Sequence, residues 1–110
     1  MNNLTYLIGR LVRTPEIKQI SEDKKVTNIT IAVPRNYKNI NGDYEMDFFD
    51  CVLWNGVAES TSNYCKKGDL IGVKGRLQSK IKEFADGSKI NIIEVVAEKI
   101  SFLSNSKADE

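Results

Sequence analysis

From Lys74 to Lys82 every second residue is polar. Lys74, Arg76, Gln78, Lys80 and Lys82 alternate with an apolar register of Ile71, Val73, Leu77 and Ile81, and Phe84 extends the polar one. Successive side chains of a strand point to opposite faces, so the even-numbered residues form a track of positive charge along one side of a sheet. Such a track suits a polyanion. Further upstream Phe48 and Trp54 share one parity, while Phe49, Cys51 and Leu53 occupy the other. Cations neutralise phosphates and exposed rings stack on bases, so the two together on one sheet face have the chemistry of a single-stranded nucleic-acid platform.

Phe48 and Trp54 are assigned to stacking because the opposite parity already supplies an apolar face for the core. Tyr37 lies in a polar stretch beside Arg35 and Lys38, out of place in a core, and is a third candidate ring. Phe84, on the parity of Lys82, is the fourth. Tyr6 and Tyr64 fall within apolar patterns and read as structural. Arg10, Arg13, Arg35 and Lys38 join Lys74, Arg76, Lys80 and Lys82 as candidate phosphate contacts. Lys66 and Lys67 follow a helical pattern and are equally well explained by its C-terminal dipole.

Catalysis has few resources here. Asp43, Glu45, Asp47 and Asp50 are the one set of carboxylates that an Mg²⁺-dependent nuclease would use, but the chain has no histidine and no nucleophile set beside a base. No catalytic residue, metal, cofactor or small-molecule substrate is expected. Cys51 and Cys65 lie in apolar registers without C-x-x-C spacing, which predicts two buried free thiols.

The 110 residues suffice for one domain, 41% hydrophobic and 28% charged, with a formal net charge of +1. That balance excludes binding by bulk charge and leaves a local basic face as the claim: residues 71–99 hold Lys74, Arg76, Lys80, Lys82, Lys89 and Lys99 against Glu83, Asp86, Glu94 and Glu98. No apolar run approaches the roughly 20 residues of a membrane span, and no leader pattern opens the chain. A cytoplasmic protein is expected.

The elements that must position these residues follow from periodicity. Residues 4–13 predict a first strand, apolar on both parities, and 16–20 a short segment. Residues 26–33 predict a second strand that Pro34 ends, because proline cannot donate to a ladder. Residues 35–47 then form a polar loop or hairpin tip around Asn41-Gly42-Asp43, and 48–54 the third strand. Val57, Ala58, Thr61, Tyr64 and Cys65 mark a short amphipathic helix that Gly68 terminates. The basic-striped strand starts at Leu70, Asp86-Gly87 turns it, and 89–103 is the last strand. A mostly antiparallel five-stranded Greek-key barrel with one helix between its third and fourth strands is the oligonucleotide/oligosaccharide-binding fold, the OB-fold. The domain spans 1–103, and 104–110 form a short polar tail expected to be disordered. Fold alone leaves the ligand open between sugars, proteins and nucleic acids, with a protein-interaction or RNA-binding module as the alternative to single-stranded DNA binding.

Several stretches carry a resemblance over most of the chain: Leu7-Ile8-Gly9-Arg10-Leu11 with Pro15-Glu16, Thr30-Ile31-Ala32-Val33, and Asp47-Phe48 through Cys51-Val52-Leu53-Trp54. They continue with Tyr64-Cys65-Lys66-Lys67-Gly68, Val73-Lys74-Gly75-Arg76-Leu77 and Glu94-Val95-Val96-Ala97. In this order and spacing they resemble the bacterial single-stranded DNA-binding proteins. The resemblance implies an OB-fold that wraps single-stranded DNA around a homotetramer, a dimer of dimers, in replication, recombination or repair. It places stacking rings at Tyr37, Phe48 and Trp54. A further ring of the family falls on Lys82 here, with Phe84 as the replacement. Many members end in a long tail with an acidic tip, so the resemblance implies a tail-less paralogue or a shortened chain.

Overall fold

The computed structural model describes residues 1–105. Its elements are β1 (Thr5–Leu11), β2 (Lys18–Gln19), β3 (Lys25–Lys38), β4 (Tyr44–Trp54), helix α1 (Asn55–Tyr64), β5 (Leu70–Glu83) and β6 (Lys89–Ser104). The strands follow one another as β1-β5-β6-β4-β3, and β3 pairs back onto β1, which closes a five-stranded barrel; β2 is a two-residue addition to β3. All pairings are antiparallel except β4 with β6, where Cys51 faces Val95 and Val52 faces Val96. This is the OB-fold. Of the tail expected at 104–110, Ser104 is the last residue of β6 and 106–110 lie outside the described residues.

The apolar parity fills the barrel. Ile29, Ile31, Cys51, Leu53, Ile71, Val73 and Val95 are buried together, and Ala58 of α1 plugs one end. Truncating a residue such as Leu53 to alanine removes about 2–5 kcal/mol, the usual cost of a buried cavity. Closure requires strands to approach tightly at two glycines. A Cβ at Gly9 would lie 2.5 Å from the Ala32 carbonyl oxygen, and one at Gly75 would collide with the Val96 carbonyl. Beside Gly75 the register steps from Lys74–Lys99 to Gly75–Ala97, so Glu98 is an extra residue and β6 bends there.

Pro34 does not end its strand. β3 continues to Lys38 opposite β4, so of the two forms expected for 35–47, loop or hairpin tip, the structure has the hairpin, a projecting two-stranded ribbon whose turn is 39–43. The ribbon tolerates proline because its register is irregular between Pro34, opposite Met46, and Lys38, opposite Tyr44. Gly68 does not cap α1 either. The helix stops at Cys65, which is extended, and Gly68 takes its positive φ of 92° in the turn before β5. Leu77 and Ile81, expected to face the core, are exposed, because the β5–β6 hairpin runs past the barrel body and has nothing beneath it. Tyr6 and Tyr64 are exposed as well: Tyr64 packs on Phe102 as a tilted ring pair with centres 5.9 Å apart, outside the core.

Candidate nucleic-acid interface

The register across the barrel wall arranges the polar parity into rows. Arg10 of β1, Ala32 of β3 and Phe48 of β4 form one row. Thr30 and Asp50 form the next, then Asn28, Val52, Val96 and Arg76 across β3, β4, β6 and β5, and finally Val26 and Trp54. At roughly 3.3 Å per residue, Phe48 and Trp54 stand about 20 Å apart along β4. Phe48 is 63% exposed and Trp54 41%. Beside Trp54 and in the next row toward Phe48, Val26, Val52 and Val96 form a small apolar floor separate from the main core. Rings at both ends, an apolar floor and a cation at either flank make a surface on which bases lie flat and phosphates run along the margins.

Trp54 is held at the end of β4 by the start of the helix. It is the extended residue before α1, and Asn55 follows at a φ of 50°, a left-handed conformation that asparagine tolerates better than other side chains. The Asn55 Oδ1 accepts a hydrogen bond from the Lys25 backbone N–H at 3.0 Å, which ties this corner to β3.

The β5–β6 hairpin carries the track outward. Arg76, Gln78, Lys80 and Lys82 share a face with Val96, Glu94, Ile92 and Ile90 of β6. Arg76 Nη1 donates to Gln78 Oε1 at 2.7 Å, and Lys80 Nζ lies 3.2 Å from Glu94. Beyond Glu83 the Phe84 N–H donates to the Ser88 carbonyl at 2.8 Å, and Lys82 Nζ sits 5.6 Å from the Phe84 ring centre. Lys74 lies farther down β5, opposite Tyr6 and Lys99.

The other candidates are dispersed. Arg10 Nη1 donates to the Gly68 carbonyl at 3.0 Å. Arg13 lines a groove with Lys18, Val26 and Asn28, beside the apolar floor. Arg35 is turned to the opposite side of the ribbon: its Nε and Nη2 donate to Asp47 at 3.0–3.2 Å and its Nη1 to Glu45 at 2.7 Å. The hydrogen bond and charge of Asp47 raise its pKa further, so a phosphate would compete with two carboxylates for these donors. Tyr37 lines a groove with Leu7, Arg35, Asp47 and Phe49, away from Phe48. Lys38 Nζ lies 5.6 Å from the Tyr44 ring centre.

Tyr44 and Met46, exposed and on the parity of Phe48, extend the face into the ribbon and were not singled out from sequence. Their shared parity was the available signal, hidden by starting the third strand only at Phe48. The carboxylates around β4 do not converge. Glu45 and Asp47 are held by Arg35, whereas Asp50 is on the other face with Thr30, and no metal-binding group of three acidic, cysteine or histidine residues exists among the described residues. Burial pushes the Cys51 thiol up to about 12 and the Cys65 thiol up to about 11, helped by Asp50 and Asp69 respectively. No helix among the described residues is long and apolar enough to cross a membrane.

Residues 1–103 match the single-strand binding protein family. The single-stranded DNA-binding protein of Enterococcus faecalis is 40% identical over 110 residues, which is all of this chain and 58% of that protein. Single-stranded DNA-binding protein B of Bacillus subtilis is 39% identical over 103 residues, 94% of this chain and 91% of that one. Single-stranded DNA-binding protein 1 of Lactococcus lactis is 40% identical over 107 residues, 97% of this chain and 71% of that one. The chain thus spans from little more than half to nine-tenths of these relatives.

Proposed function

Because the chain belongs to the single-strand binding protein family, we propose that it binds single-stranded DNA with little regard to sequence, by stacking and phosphate contacts, and covers it during replication, recombination or repair. The family binds DNA without transforming it, so the activity is occupancy. The observation that carries the reading is the row in which Arg10 lies across Ala32 from the exposed Phe48, with Trp54 closing the same face at the far end of β4. Phe48, Trp54 and Phe84 receive bases. Arg10, Arg13, Arg76, Lys80 and Lys82 guide the backbone, and Lys74 extends its path. Tyr37, Lys38 and Arg35 belong to a second stretch on the ribbon.

A neutral subunit with one basic face gains from multivalency. Leu4, Tyr6 and Ile8 are exposed on the outward parity of β1. Pairing of this face with its symmetry mate gives an isologous dimer, and two dimers give the homotetramer that fits the family. A cytoplasmic location fits both the DNA partner and the free cysteines. Titration of labelled oligo-dT and of a duplex of equal length at one salt concentration tests the reading: the single strand must bind far more tightly, and equal affinities contradict it.

A further inference from the structure

The row that ends at Trp54 has a third member. Lys18 of β2 lies opposite Val26 of β3, and Val26 lies opposite Trp54 of β4. Directly opposed residues of paired strands point to the same face, so the three stand side by side on the outside of the barrel wall. The other end of β4 is built alike, with Arg10 opposite Ala32 and Ala32 opposite Phe48. Each row runs from a cation over a small aliphatic side chain to an exposed ring. Neighbouring strands are about 4.8 Å apart, which sets cation and ring roughly 10 Å apart at the backbone in both rows. The short strand that carries Lys18 is fixed: the Ile20 N–H donates to the Lys24 carbonyl at 2.8 Å, and the Thr27 hydroxyl donates to the Glu16 carbonyl at 2.7 Å. The exposed Lys18 shares a groove with Arg13 and Glu16, and neither cation is ion-paired among the described residues. Lys25, opposite Gln19, differs, because its ammonium is bound by Glu59 of α1.

We propose that Lys18 is a phosphate contact, the cation of a subsite in which a base stacks on Trp54, its sugar crosses Val26 and its phosphate meets Lys18 beside Arg13. The inference rests on the single-stranded DNA reading above and adds the contact that anchors the strand at the Trp54 end, as Arg10 anchors it beside Phe48. An ammonium on a flexible four-carbon stem is a point charge that follows a phosphate and asks nothing of the base, so the contact keeps the site tolerant of sequence. Two cations against the single carboxylate of Glu16 leave the groove net positive. Both anchoring cations lie on the β3 side of their rings, at rows about 20 Å apart along β4. A strand held by both has its backbone on that side at each end of β4.

The test titrates labelled oligo-dT by fluorescence anisotropy over a range of salt, with every variant checked for an unchanged melting temperature. Lys18→Gln is expected to lower affinity about two- to fivefold, the value of one exposed charge pair, and to reduce the log–log salt slope by about 0.7, the contribution of one phosphate in a single strand. Lys18→Arg is expected to keep both at wild-type values. A double-mutant cycle locates the contact. Once Trp54→Ala releases the base, its phosphate is no longer presented to Lys18. Lys18→Gln is therefore expected to cost little further in that background and its full amount in Phe48→Ala. Tight binding by wild type with an unchanged slope in Lys18→Gln overturns the inference and leaves the binding function standing. So does an equal loss in the Trp54→Ala and Phe48→Ala backgrounds, since Lys18 then attracts the strand only as diffuse charge. Failure of wild type to bind oligo-dT overturns the function and the inference together.

Discussion

The Lys82 ammonium lies 5.6 Å from the centre of the Phe84 ring, just before the turn that joins β5 to β6. A cation over a ring face fixes the ring and leaves its other face for a base. Phe84→Ala is therefore expected to weaken oligo-dT binding by about 1–3 kcal/mol, the value of one base–aromatic stack. Lys82→Gln is expected to lower the salt dependence as well as the affinity. Unchanged affinity in Phe84→Ala, measured by fluorescence anisotropy, would leave the hairpin without a stacking ring.

Arg76 and Lys80 share a strand face but not an environment. Among the described residues Arg76 donates to the neutral Gln78, whereas Lys80 is paired with Glu94 at 3.2 Å. Arg76→Gln is expected to reduce the log–log salt slope by about 0.7, the contribution of one phosphate in a single strand. Lys80→Gln is expected to reduce it less, and adding Glu94→Gln to that variant to bring the slope back. Equal slopes in Arg76→Gln and wild type would make the stripe a solvated surface.

Assembly has to be tested on the outer face of β1, not by removing the strand. Deleting residues 1–8 would take away most of a barrel wall that pairs with β5 from Thr5 to Arg10. Ile8→Glu changes only an exposed side chain, on the outward parity with Tyr6. Sedimentation of wild type at micromolar concentration is expected to give a tetramer, and of Ile8→Glu a smaller species with a cooperative melt. A tetramer in both would move the interface elsewhere.

The thiols give a pH dependence with a definite sign. Burial raises Cys51 from 9.0 to about 12 and Cys65 from 9.0 to about 11. Between these values the unfolded chain loses its thiol protons before the folded one does, so folding is favoured in full below pH 9 and progressively less above it. Urea midpoints are expected to fall as pH rises from 9 to 11, and Cys51→Ala with Cys65→Ala to flatten that decline. Native protein at pH 8 is expected to react with a thiol reagent only after unfolding.

Strand parity made much of this legible in the sequence. Phe48 and Trp54 were separable from Phe49, Cys51 and Leu53 because a barrel wall has one wet face and one dry face. The same rule misassigned Leu77 and Ile81, since parity says which face a side chain takes but not whether a core lies beneath it. Pro34 misled because tolerance of proline depends on an irregular register with β4, a property of two strands that neither contains alone. Arg35 read as a phosphate contact from its position near Tyr37. Its engagement by Glu45 and Asp47, ten and twelve residues on, follows only once the ribbon folds back.

The central claim is that bases stack on the outer face of β4, and Trp54, the only tryptophan of the chain, reports on it directly. Oligo-dT titrated into wild type is expected to quench Trp54 emission to saturation, while duplex of the same length leaves it nearly unchanged. Phe48→Ala, at the other end of the strand, is expected to shift that titration by about 1–3 kcal/mol without altering the melting temperature. Tight oligo-dT binding by anisotropy with Trp54 emission unaltered would contradict the account.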